Sequence, residues 1–142
     1  TSAIVMSTTL LMLALHPVVQ QKVFNEIFEL IISKDRNINN VLTSLNYLEM
    51  VLNEVMRLFA EVPFILRKSS NNLVLNGLKL PNGITILIPI LNIHRDETVW
   101  GDDATTFRPE RFDNLSDIQR SAFMPFTSKF LLFFSEFTLK NL

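Results

Sequence analysis

The feature that most constrains this chain is a charged pair set inside an apolar stretch. Glu54 and Arg57 stand three residues apart, one turn of a helix, so their side chains share a face. Leu48, Val51, Leu52, Val55, Met56 and Leu58 surround them. On its own, Glu-x-x-Arg describes a solvated surface pair contributing about a few tenths of a kcal/mol. On a buried face the same pair needs further partners, because an uncompensated charge in the interior is strongly destabilising. A fold that hides Glu54 and Arg57 must therefore bring another charged group to them. Arg111, within Phe107-Arg-Pro-Glu-Arg-Phe112, is the candidate, since its guanidinium offers a two-pronged fork to a carboxylate.

Composition narrows the possibilities. A chain of 142 residues is one domain or part of a larger one. A mean hydropathy of +0.26 with 48% hydrophobic residues is high for a free-standing soluble domain. The net charge of −1 offers nothing to attract nucleic acid or an anionic membrane surface. There is no cysteine, which excludes disulfides, thiolate metal sites and thiol nucleophiles. His16 and His94 are the only histidines and lack the spacing of a metal site; His94 is expected to hydrogen-bond locally.

Hydrophobic period organises the chain. Residues 1–15 are apolar but shorter than a bilayer span and carry no signal-peptide marks, so they read as a helix buried on all sides. His16-Pro17 ends that helix, and Pro17 opens an amphipathic one to about Ser33. Residues 33–40 are polar and loop-like. Asn46 and Glu49 make a capping pair for a third helix, with Leu48, Val51, Leu52, Val55 and Phe59 as its apolar stripe. Pro63 breaks helix. Leu73–Leu75, Asn76-Gly77 and Leu78–Leu80 then read as a hairpin with a type I′ turn, followed by a strand over Ile84–Ile88. From Asn92 to Phe112 the chain reads as irregular, with a turn at Trp100-Gly101. The fold class expected is mainly α with a small β-sheet.

Taken in order, these segments resemble the C-terminal half of a cytochrome P450, the haem-thiolate monooxygenases, and are most similar to the microsomal, insect-like branch with its fatty-acid hydroxylases. The resemblance rests on Ala14-Leu-His-Pro17, Glu54-x-x-Arg57-Leu-Phe59, Val62-Pro-Phe-Ile-Leu-Arg67, Asn92-Ile-His-Arg-Asp96, Trp100 and Phe107-Arg-Pro-Glu-Arg-Phe112. It covers residues 1–127 as a partial domain of that family. It implies that Glu54, Arg57 and Arg111 form a buried structural network supporting the haem loop. It implies that Arg67 pairs with a haem propionate and that Val62, Pro63, Phe64, Ile65 and Leu66 line a substrate pocket. A solvated arginine and a plain core strand are the competing readings. Thr1 lies fifteen residues before His16, the spacing of the family's proton-delivering threonine; a helix cap is the alternative. The implied partners are haem with its iron, an apolar small molecule, O2 and an electron-donating reductase. The implied setting is the endoplasmic reticulum membrane, through an anchor upstream of these residues.

The resemblance stops after Phe123-Met-Pro-Phe-Thr127. The family continues into a glycine-rich loop, Phe-(Ser/Thr)-x-Gly-x-Arg-x-Cys-x-Gly, whose cysteine supplies the iron's thiolate ligand. This chain instead reads Ser128-Lys-Phe-Leu-Leu-Phe-Phe-Ser-Glu-Phe-Thr-Leu-Lys-Asn-Leu142, without glycine, arginine or cysteine. Ser128-Lys-Phe130 can be encoded by a string containing GTAAGT, a splice-donor-like sequence, so residues 128–142 read as translated intron or a frame error. A diverged hydrophobic helix is the other reading. With no axial ligand, two further functions stay open beside the monooxygenase: a non-catalytic fragment or pseudogene product unable to ligate haem iron, and a small α+β interaction domain.

Overall fold

The computed structural model describes residues 2–32, 43–75 and 77–125. Thr1, the loop expected at 33–40, Asn76 and the whole of 128–142 lie outside the described residues. Helix α1 (Ser2–Leu15) and helix α2 (Pro17–Ile32) meet at His16-Pro17 with a bend of 113°, the break that proline's demand on the preceding residue predicts. Among the described residues no single helix is long and apolar enough to cross a membrane; α1 and α2 pass that test only as a bent pair.

Helix α3 (Asn46–Leu58) is the centre of the packing. It lies against α1, α2 and the 3-10 turn at Pro109–Phe112. Its buried residues are Val51, Glu54, Val55, Arg57 and Leu58. The inward face is therefore rotated from the apolar stripe read in the sequence. Leu52 is half-buried and Phe59 is exposed, while the charged pair takes the interior. Strand β1 (Ile65–Lys68) pairs antiparallel with β4 (Thr85–Ile88), and β2 (Leu73–Leu75) with β3 (Leu78–Leu80). In the second pair Leu75 faces Leu78 across a two-residue connection. Gly77 there adopts φ +83°, a left-handed conformation open to glycine without strain.

Two expectations are corrected. The region 92–112 is not irregular: α4 (Ile90–His94), α5 (Glu97–Trp100) and the 3-10 turn run through it, and α6 (Asp117–Ala122) follows. These helices are one or two turns long, too short to show a period of 3.6, which is why the pattern missed them. Side-chain caps mark the starts of two of them. Asp96 accepts from the Thr98 amide, and Ser116 with Gln119 forms a capping box. The second correction concerns α1. It buries only Thr9 and Met12, and Ile4, Met6, Leu10, Leu11 and Leu15 are exposed. A uniformly apolar helix asks for cover on all sides, and the described residues supply it on one.

The third helix begins at Asn46, but not through the Asn46–Glu49 pair. The residue before it, Leu45, has no capping side chain. Instead Glu26 reaches across from α2 and its carboxylate accepts the amides of Tyr47 at 2.7 Å and Leu48 at 3.0 Å. A negative charge at this end also meets the positive pole of the helix dipole. Nearby, the Glu110 carboxylate accepts from Lys22 at 2.6 Å and Tyr47 at 2.8 Å, tying α2 and α3 to the 3-10 turn. Losing the cap should matter by about 1 kcal/mol: Glu26→Ala is expected to lower the unfolding free energy by that amount in urea titrations followed by helical circular dichroism, and Glu26→Gln by less.

Candidate functional site

The interior between α3 and the segment 94–111 is a charged cluster. Glu54 and Arg57 are fully buried and Arg111 is 6% exposed. Arg57 grips the Glu54 carboxylate with two nitrogens, Nε to Oε2 at 2.7 Å and Nη2 to Oε1 at 2.9 Å. Its remaining nitrogen, Nη1, donates to the carbonyls of His94 and Ala104, both at 2.6 Å. Arg111 comes from the 3-10 turn, 57 residues along the chain, and donates Nε to Glu54 Oε1 at 2.9 Å. Its other nitrogens reach the carbonyls of Trp100, Asp103 and Thr106 and the Asp103 carboxylate. Glu54 Oε1 also accepts the backbone amide of Arg108 at 3.0 Å. The structure thus brings together Glu54, Arg57 and Arg111.

Two physical facts let these charges sit inside. The Glu54 carboxylate lies between the guanidiniums of Arg57 and Arg111, and the Asp103 carboxylate faces Arg111 on one oxygen and the more exposed Arg108 on the other. Backbone carbonyls then take the hydrogen-bond directions that the carboxylates leave, which meets the desolvation requirement for a buried pair. Trp100 closes one side, with the Arg57 guanidinium 5.0 Å from its ring and its indole N–H donating to the Ile93 carbonyl. Trp100, Ala104 and Phe123 form the apolar wall.

His94 adjoins this cluster and is not the locally bonded residue expected. It is fully buried, and its Nε2 accepts the backbone amide of Met124, 30 residues later, at 3.0 Å. That bond places the ring proton on Nδ1, which has no hydrogen-bond partner among the described residues. Burial pushes the imidazole down to about 4, and the nearby Arg57 charge acts in the same direction, against backbone groups of Arg57 and Met56.

The other candidates are dispersed. Arg67 is exposed on β1 opposite Ile86. Val62, Pro63, Phe64 and Leu66 are exposed, whereas Ile65 turns inward against Ile88 and Ile90. A separate apolar recess of about 550 Å³ is lined by Ile88, Ile93, Ile118, Ala122 and Met124, with Asp117 and Ser121 at its edge. Thr1 lies outside the described residues. Carbonyl acceptors such as those of His94 and Ala104 were invisible to sequence reasoning, because any residue type supplies them. The His94–Met124 bond had no sequence signal either.

Residues 1–128 match the family model for cytochrome P450. The chain belongs to the cytochrome P450 family. It is 43% identical over 126 residues to probable cytochrome P450 313b1 of Drosophila melanogaster, covering 84% of this chain and 25% of that protein. It is 39% identical over 116 residues to lithocholate 6-beta-hydroxylase of Mesocricetus auratus, covering 80% and 23%. To cytochrome P450 734A1 of Arabidopsis thaliana it is 33% identical over 112 residues, covering 79% and 22%. The chain therefore spans about a quarter of the length of these relatives. The family is one of haem monooxygenases, and the mainly α arrangement with two small antiparallel sheets seen here corresponds to part of its fold.

The donors present do not fit thiolate-ligated haem. The sequence has no cysteine. Both histidines are engaged elsewhere: His94 as described, and His16 donating Nδ1–H to the Met12 carbonyl at 2.8 Å with its ring against Phe107. Among the described residues no cluster of metal-ligating side chains occurs.

The cluster makes two measurable demands. Glu54→Gln leaves two guanidiniums facing each other in the interior and should destabilise the chain by about 3–5 kcal/mol, most of a small domain's stability. Arg57→Lys should not rescue the network, because an ammonium cannot reproduce the two-pronged grip. Thermal unfolding of the variants reads both effects. His94 sets the second demand. Its folded value, about 4, lies below the ordinary 6.5, so the unfolded chain binds the proton more tightly. The stabilisation is complete above about pH 6.5 and is lost as pH falls toward 4, up to roughly 3 kcal/mol. Urea midpoints across that window should fall with acid, and the slope should flatten in His94→Gln.

Proposed function

We propose that these residues are the charge-locked scaffold of a haem monooxygenase, and that the 142-residue chain does not itself ligate haem iron. The intact protein would insert one oxygen atom of O2 into an apolar small molecule, fatty-acid- or xenobiotic-like, with electrons from a reductase. It would work at the endoplasmic reticulum membrane through an anchor outside these residues. The observation that carries this reading is a contrast: the Glu54–Arg57–Arg111 cluster is assembled and buried, while the sequence contains no cysteine. That one relative is named for hydroxylating lithocholate supports the type of reaction. In the intact protein Arg67 is assigned to a haem propionate and residues 62–66 to the substrate side. The exposure of Phe64 and Leu66 leaves their apolar faces free for that role. Thr1 is the candidate for proton delivery.

The same contrast favours a second reading, a non-catalytic product of the gene. The two differ in whether Ser128–Leu142 belongs to the mature protein, and we assign that segment to translated intron. The chain mixed with haem, reduced and exposed to CO is expected to give no thiolate-type Soret band; such a band would overturn the proposal that this chain does not ligate haem iron. Sequencing the spliced transcript is expected to show the reading departing from this one after codon 127. A mature message encoding Ser128–Leu142 and then a stop would make the non-catalytic reading the correct one.

A further inference from the structure

His94 is held at two points that belong to different parts of the chain. Its carbonyl accepts Arg57 Nη1 at 2.6 Å, which anchors it to the charged cluster. Its imidazole Nε2 accepts the Met124 amide at 3.0 Å, and its ring lies 5.6 Å from that of Phe123. The His94 side chain is fully buried and Met124 is half-buried. No other hydrogen bond ties residues 124–125 to the charged cluster among the described residues.

We propose that His94 is the positioning residue through which the Glu54–Arg57–Arg111 cluster holds the chain at Phe123–Pro125. Among the described residues the hydrogen bonds of Glu54, Arg57 and Arg111 reach no further along the chain than residue 111. Phe123 is also packed against Trp100, Ala104 and Phe112, but the hydrogen-bonded tie from the cluster to Met124 passes through one imidazole. The acceptor has to be a neutral ring nitrogen, because a protonated Nε2 becomes a donor facing a donor. Arg57 on α3 is the charged group that faces the ring, with Glu54 reaching it only through Arg57. Arg95 turns away to the Leu58 carbonyl, and Phe123 and Met124 bring no charge. The proposal stands on these hydrogen bonds and does not depend on the function proposed above.

The test is residue-resolved amide hydrogen exchange by NMR on the 142-residue chain at pH 7. His94→Leu removes the acceptor but keeps an apolar side chain in the core. It is expected to reduce Met124 protection by about tenfold, as for the loss of one hydrogen bond. The Phe59 amide, bonded to the Val55 carbonyl at the end of α3, should change by less than about twofold. His94→Gln places a carboxamide oxygen where Nε2 stood and should keep Met124 protected, now with no change in protection factor as pH falls from 7 to 4. In the unsubstituted chain that protection should fall over the same range. Unchanged Met124 protection in His94→Leu would overturn the proposal. So would equal losses at Met124 and Phe59 in both variants, which would make His94 only a core residue. A chain with no protected amide at Met124 at pH 7 would overturn it as well.

Discussion

One carboxylate organises this chain. Glu54 accepts from Arg57 on its own helix and, from more than fifty residues along the chain, from Arg111 and the Arg108 amide. A single buried negative charge would be untenable alone. With two guanidiniums around it, and the Asp103 carboxylate facing the second, the charge becomes the reason the segment 94–111 has one position rather than many. The short helices α4 and α5 and the 3-10 turn are too small to be stable by themselves. The carbonyls of His94 in α4 and Trp100 in α5 accept from Arg57 and Arg111, and the 3-10 turn supplies Arg111 itself, which ties all three to the cluster.

This arrangement separates two kinds of stability in the molecule. Around α3 the packing is dry: Val51, Val55, Trp100 and Ala104 are almost wholly hidden beside the charges. Along α1 and α2 it is not, and Leu10, Val18 and Ile31 stand about two-thirds or more exposed. Apolar surface of that extent favours burial at about 25 cal/mol per Å², so these faces do not stabilise the chain as they stand. The charged cluster and the Glu26 cap hold what the hydrophobic faces leave unsupported. The Lys22–Glu110–Tyr47 tie reinforces them on the outside, where partial burial pushes the Glu110 carboxyl up but the hydrogen bonds from Lys22 and Tyr47 outweigh it and hold it below the usual range.

Legibility in the sequence followed the same division. The helices α1 to α3, the break at Pro17, the hairpin and the strand ending at Ile88 were all readable, because each is long or carries a turn signal. The family, too, was readable from ordered motifs, and Arg111 could be named as the partner of Glu54 because a buried carboxylate needs one. What could not be read were bonds to backbone atoms. Nothing in the identities of His94, Ala104 or Thr106 announces that their carbonyls face an arginine, and Glu26 gives no sign that it caps a helix twenty residues away. The rotated face of α3 has the same origin: apolar counting ranks Leu52 and Phe59 above Glu54 and Arg57, and only compensation by distant groups reverses the order.

The reliance on backbone acceptors has a consequence for how such a chain can change. A carbonyl is supplied whatever the side chain, so a substitution at His94, Ala104 or Thr106 does not by itself remove an acceptor from the cluster. The constraint concentrates on Glu54, Arg57 and Arg111, whose loss leaves a bare charge in the interior. A cysteine ligand carries no such penalty for the scaffold, since none of the cluster's hydrogen bonds uses a thiol. Scaffold and chemistry are thus physically uncoupled in one direction. The sequence contains no cysteine, and the hydrogen bonds that order residues 46–112 are in place without one.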